Sequence, residues 1–337
     1  QQTLSGFDEE FIDIVDYIIR ITHRIWEQKN VGLCYDYYSD DCPVYTLGGY
    51  VEGVETVVQN TLKTIAAFPD RSLIGENVVW RDHGNGDYYS SHRITSIMTN
   101  TGHSEFGPAT GMTGRVTTVA DCVCRENRIV YEWLMRDNSF LVKQLGLAPL
   151  AVAERMSKAP THPEFDRWWD SEHQRVCAID HLAEKAFVCA HDSPQGFAEA
   201  WAMSLFNQKR LKDIDTFYQP NARVQWPGGR QAVGVRAITG TVVQWLAQCA
   251  DAKVSVDHVA ATAFEDEAID LAIRWTLAGE FSARDESLAA CSGQPMLVLA
   301  STHLRIVDGK ISEEWTVFDE LALYANLLRR AGVELEP

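Results

Sequence analysis

The chain has 337 residues, enough for two cored domains, with 46% hydrophobic and 23% charged residues and no low-complexity tract. Its 30 basic against 47 acidic residues leave a net charge of −17, which repels phosphate backbones and anionic lipid, so neither nucleic acid nor a membrane surface is an expected partner. No apolar run reaches the length of a membrane span, no basic-then-apolar signal pattern opens the chain, and eight cysteines without framework spacing read as reduced thiols of a cytoplasmic protein.

From about Asp8 to Glu27, apolar Phe11, Ile14, Ile18 and Ile21 recur at helical spacing and predict a first helix. A short segment ends in the turn Gly48-Gly49. A second helix follows, with the stripe Val54, Val57, Val58, Thr61, Leu62 and Ile65, stopped before Phe68-Pro69. The runs "SLIGENVVW", "DYYSSHRITSIMT", "GRVTTVADCVC" and "RIVYEWLMR" are β-branched and aromatic and predict strands, the first two joined through "DHGNGD". In the connecting stretch, Phe165, Trp168, Trp169, Val176, Ile179, Leu182 and Ala186 form an amphipathic stripe behind Pro160 and Pro163. That stripe predicts a helix of about six turns, whose Trp pair either wedges between modules or closes over a pocket. At Ser193-Pro194, a capping residue and a helix-compatible proline, the pattern starts again. It passes the turn Gly228-Gly229, the stripe Ile238, Val242, Leu246 and Cys249, and the hairpin dipeptide Asp308-Gly309.

The restart is a repeat. "NVGLCYDYYSDDCPVYTLGG" lies against "RLKDIDTFYQPNARVQWPGG" at an offset of 180, and "TTVADCVCRENRIVYEW" against "LASTHLRIVDGKISEEW" at 182. A tandem duplication of one α+β domain follows, helices first and a strand meander after, over residues 8–147 and 193–333, with a helical connector at 148–192.

"DGKISEEWTVFDELALYANLL" strongly resembles the C-terminal strand and tail of SnoaL-like proteins, the polyketide-cyclase branch of the NTF2-like superfamily. "NRIVYEWLMRDNSFLVKQLGL" looks like a second version. The resemblance implies two NTF2-like (cystatin-like) α+β cone or barrel domains, each a curved antiparallel sheet wrapped on helices around a pocket. It further implies that their sheets pack by the outer faces as an intrachain pseudo-dimer, so that a monomer suffices and further homodimerisation is not required. It implies a cofactor-free acid/base enzyme, a lyase or isomerase, acting on a small carbonyl-containing molecule by proton abstraction. A non-catalytic small-molecule-binding or scaffold protein is the alternative. No HExxH or paired metal spacing occurs, so no metal is expected.

By the period-2 rule Trp133, Met135 and Asp137 share one strand face, as do Trp315, Val317 and Asp319. An Asp beside an indole should have a raised pKa useful for proton transfer. In the resembled cyclases that Asp is the general acid/base, assisted by a His on the preceding strand, which implies His303/Asp319 in the second copy and Asp121/Asp137 in the first. His92 and Arg93 point to opposite faces of a polar "SSHR" stretch, one of which would line the pocket. Tyr45 and Trp226 beside the glycine turns, Arg274, and the indoles of Trp133 and Trp315 complete the substrate-binding candidates. Plainer readings stand beside these. Each Asp could cap the terminal helix, His303 could be a core histidine, the indoles could be sheet core, and Glu132 and Glu314 face solvent or a neighbouring strand. Greater polar density favours the first copy as the working one.

Overall fold

The computed structural model describes residues 2, 4–180, 193–265 and 267–333. The first copy opens with Ile14–Thr22 (α1), capped by the Asp13 carboxylate on Asp16 N, and runs on through the π-helical turn His23–Glu27. Cys34–Tyr37 (α2), Pro43–Thr46 (β1), Gly49–Glu52 (β2) and Val54–Ala67 (α3) follow. Then come Ser72–Gly84 (β3), Asp87–Thr99 (β4), Thr113–Arg125 (β5), Arg128–Arg136 (β6) and Asn138–Gln144 (α4). The connector holds Pro149–Ser157 (α5) and Pro163–Cys177 (α6). The second copy repeats the order: Pro194–Ala202 (α7), Ile214–Phe217 (α8), Tyr218–Trp226 (β7), Arg230–Val233 (β8), Val235–Leu246 (α9), Lys253–Phe264 (β9), Ala268–Glu280 (β10), Pro295–Val307 (β11), Lys310–Phe318 (β12) and Glu320–Ala331 (α10).

The two sheets have one topology, β2-β1-β6-β5-β4-β3 and β8-β7-β12-β11-β10-β9. They are mixed rather than wholly antiparallel, because β1 joins β6, and β7 joins β12, in parallel. Asn85-Gly86 and Asp308-Gly309 turn their hairpins with both φ angles positive, as such dipeptides allow. The connector has two described helices where one was expected. Pro163 takes the first turn of α6, and α5 precedes it. Leu182 and Ala186 of the expected stripe lie outside the described residues.

Each sheet buries one face on its own helices and the other on the opposite copy. Val119 and Met135 meet Leu299 and Val317 in one apolar cluster, and Val79 and Tyr89 meet Ala260 and Ala272 in another. Two cation–π contacts mark a pseudo-two-fold: Arg93 lies 4.0 Å over Trp315 and Arg274 3.7 Å over Trp133. The copies are therefore an intrachain pseudo-dimer. Helix α6 wedges beside this seam, with Phe165, Trp169 and Val176 on Ala278 and Leu297, and Trp168 against Tyr45.

Candidate active site

Strand alternation decides which side chains enter each cone. On β6 and β12 the inward set is Glu132, Leu134 and Arg136 in the first copy and Glu314, Thr316 and Phe318 in the second. Trp133, Met135, Trp315 and Val317 face the seam instead. The two glutamates, expected near solvent, are buried inside the cones.

In the second cone Glu314 accepts hydrogen bonds from Tyr218 (2.5 Å), Trp226 Nε1 (2.7 Å) and Thr316 (2.6 Å). Trp201, Phe206 and Trp275 pack around it, and Trp245 and Phe318 close on Trp226. That cone is full.

The register of the strands equates Thr46 with Trp226, Leu134 with Thr316 and Arg136 with Phe318. Glu132 therefore lacks two of the three donors that hold Glu314 and, among the described residues, keeps only Tyr38, whose hydroxyl donates at 3.0 Å. Burial pushes its carboxyl up to about 7, against the lowering effects of Tyr38 and Arg136. Trp26, Ile65, Ala120 and Leu134 pack on this core yet stay half-buried, while their counterparts Phe206, Leu246, Thr302 and Thr316 are no more than 5% exposed. These four wall positions are thus packed less tightly in the first cone than in the second.

Its polar groups form levels along the strands, each about 7 Å from the next at two residues per level. Ser90 and Cys122 stand at the level of Glu132, His92 and Ala120 at that of Leu134, and Ile94 and Thr118 at that of Arg136. His92 contacts Thr22 at 3.5 Å, and its buried Nε2 has no partner. Burial lowers it to about 4, so it is neutral at pH 7. Arg71 enters from the end of α3, donates to Ser96 at 3.2 Å, and is pulled down to about 10 by burial and by Arg136.

The other sequence-predicted residues lie elsewhere. Asp137 caps α4, accepting from Phe140 N (3.2 Å) and Ser139 (3.1 Å), and also accepts from Gly228 N of the second copy (2.8 Å). Burial raises its pKa. Asp319 caps α10 through Ala322 N (3.0 Å) and accepts from Asn138 (2.6 Å), and burial raises it to about 7. Asp121 accepts from Tyr89 (2.5 Å), with Arg274 3.9 Å away, and His303 meets Ser91 at 2.8 Å; both sit between the sheets. Neither Asp121/Asp137 nor His303/Asp319 forms a hydrogen-bonded pair among the described residues, because the Asp of each strand end turns back to its helix. Tyr45 stacks on Tyr131 under α6, and Trp226 fills the second cone. Among the described residues no three His, Cys, Asp or Glu side chains gather as a metal site.

A family model described as SnoaL-like polyketide cyclase matches residues 195–327. The match lies within the second copy. The first copy, which the family model does not match, repeats the element and strand order of the second. Similar solved structures include a protein from Jannaschia sp. CCS1 assigned as a SnoaL-like polyketide cyclase, at 14% identity and TM-score 0.36, covering 40% of this chain and 92% of that one. Another is a SnoaL-like polyketide cyclase from Agrobacterium tumefaciens str. C58, at 18% and 0.33, covering 40% and 98%. A third, from Catenulispora acidiphila DSM 44928, has a ketosteroid isomerase-like fold and is in complex with trimethylamine. It shows 16% identity and TM-score 0.33, covering 43% and 100%. No match to a curated protein is found. From the sequence Glu132 was expected to face solvent or a neighbouring strand, and Tyr38, Arg71 and Arg136 were not singled out as site residues. The signal lay in the comparison of copies, where Thr46, Leu134 and Arg136 face Trp226, Thr316 and Phe318.

Proposed function

We propose that the first SnoaL-like copy is a cofactor-free acid/base catalyst acting on a small carbonyl compound, with Glu132 as the proton-transfer group, and that the second copy is its structural partner. The observation that carries this reading is the freeing of Glu132. The same buried carboxylate is tied by three donors in the second cone and, among the described residues, by one in the first. A carboxyl held near 7 matches the operating pH of a general base.

In this reading the Glu132 carboxylate takes a proton from carbon next to the carbonyl, and the C–H electron pair moves into the enolate. His92, neutral and one level away, offers its unpartnered Nε2 to the developing oxyanion, and Glu132 returns the proton at a second atom. Isomerisation, ring closure and elimination differ only in where the enolate electrons go next. Arg136, two levels beyond Glu132, and Arg71, on Ser96 one level further, hold a polar or anionic end of the substrate.

Deuterium uptake tests the base directly. Incubation with simple cyclic ketones and β-keto esters in D2O, read by mass spectrometry, should show enzyme-dependent exchange at the α-carbon. Glu132→Gln should reduce it by a factor of about 100 or more. Exchange that survives Glu132→Gln, or that never exceeds buffer across these carbon acids, defeats the assignment.

A further inference from the structure

A groove of about 310 Å³ runs along the seam between the copies, on the face of the first sheet opposite the cone. Arg93 and Trp315 lie in it, with Arg115 and Phe140 on one side and Gln225 and Gln231 on the other. Arg93 is only 6% exposed, and its Nε is buried with no hydrogen-bond partner.

The pseudo-two-fold shows why this is unusual. The register equates Arg93 with Arg274. Arg274 donates to Tyr89 (3.4 Å) and faces Asp121 at 3.9 Å. At the matching positions around Arg93 stand Asp270 and His303. Asp270 is already engaged by Arg305 (2.9 Å) and Asn77 (2.8 Å), and His303 is engaged by Ser91. Of the two carboxylates that line the groove, Asp137 is turned to backbone N–H groups, and Glu76 favours the Arg93 charge through space without forming an ion pair among the described residues. Arg230, also on the wall, is paired with Glu320. One seam cation has direct partners, whereas its twin has carboxylates only at a distance and, among the described residues, no ion pair. A buried, unmatched guanidinium is costly unless something pairs with it.

We propose that this groove is a second ligand site, which takes a small carboxylic acid with a flat apolar body. The carboxylate would meet the free edge of Arg93, which presents a planar fork suited to two parallel hydrogen bonds. The body would lie among Trp315, Val317 and Phe140. A monoanion is favoured over phosphate because the chain carries −17 overall, which penalises a second negative charge. The volume sits at the small end of ligand pockets, about 300–1,000 Å³.

Benzoate, its neutral counterpart benzamide, and inorganic phosphate serve as probes of the full chain. The reporter is the Trp315 indole N–H resonance, assigned through Trp315→Phe. Benzoate should shift it saturably. Arg93→Met, which keeps an apolar stem over the indole, should weaken benzoate at least tenfold, whereas Arg71→Met in the cone should leave it unchanged. Unchanged benzoate affinity in Arg93→Met overturns the site. So does benzamide or phosphate binding as tightly as benzoate, a comparison made on the native chain and therefore independent of whether the variant folds. Because Arg93 and Arg71 lie on opposite faces of the sheet, failure here leaves the reading of the cone untouched.

Discussion

Glu132 shows how much one side chain depends on what its neighbours donate. In the unfolded chain it ionises near 4.5, and in the cone burial holds it up to about 7. The folded state therefore keeps a proton that the unfolded state releases. This contribution to stability is complete below pH 4.5 and is lost as pH rises through 7. Glu132→Gln mimics the protonated form and does not titrate. Its stability relative to the native chain should rise between pH 4.5 and 8, by at most about 3 kcal/mol for a shift of this size. Paired urea denaturation curves at several pH values measure it, and a flat difference would mean that the carboxyl ionises at its ordinary pKa.

At the scale of elements, the ends of β6 and β12 matter most. The chain leaves each strand through an Asp that caps the following helix, so the acid of the Trp–x–x–x–Asp pattern serves backbone N–H groups. Asp137→Ala should cost about 1–2 kcal/mol, since the contact to Gly228 N is lost with the cap. Asp319→Ala should cost about 1 kcal/mol. Both variants should retain α-carbon exchange. Loss of exchange at unchanged stability would return the Asp to the reaction. The helical stripes, the strands and the glycine-bearing turns were legible because each is a local pattern. Helix α5 was not, having a weakly apolar face. Nor was the parallel pairing of β1 with β6, which joins segments far apart in sequence.

For the whole molecule, the seam joins apolar clusters, cation–π contacts and buried hydrogen bonds between the copies within one chain. Unfolding should be a single calorimetric transition whose midpoint does not move with protein concentration, because the partner is tethered. Leu299→Asp places an unpaired charge among Val119, Met135 and Val317. It should lower the stability of both copies together by about 3 kcal/mol or more. Two separated transitions in the native chain would show that the copies fold independently.

The sequence by itself determined that one α+β unit is written twice, where its main helices and long strands fall, and which relatives its last strand resembles. These follow from apolar periodicity, turn dipeptides and a strand-end motif, all read within a few residues of one another. It also recorded the differences between copies at Thr46/Trp226, Leu134/Thr316 and Arg136/Phe318, but not what they meant. Period 2 says that Glu132 and Trp133 face opposite ways and cannot say which way is in. Only the tertiary structure decided that, because both faces of each sheet are covered, one by helices and the other by the second copy. The indoles went to the seam, where a neighbouring guanidinium and apolar surface receive them. The glutamates went to the cones, where one is held by three donors and the other by one.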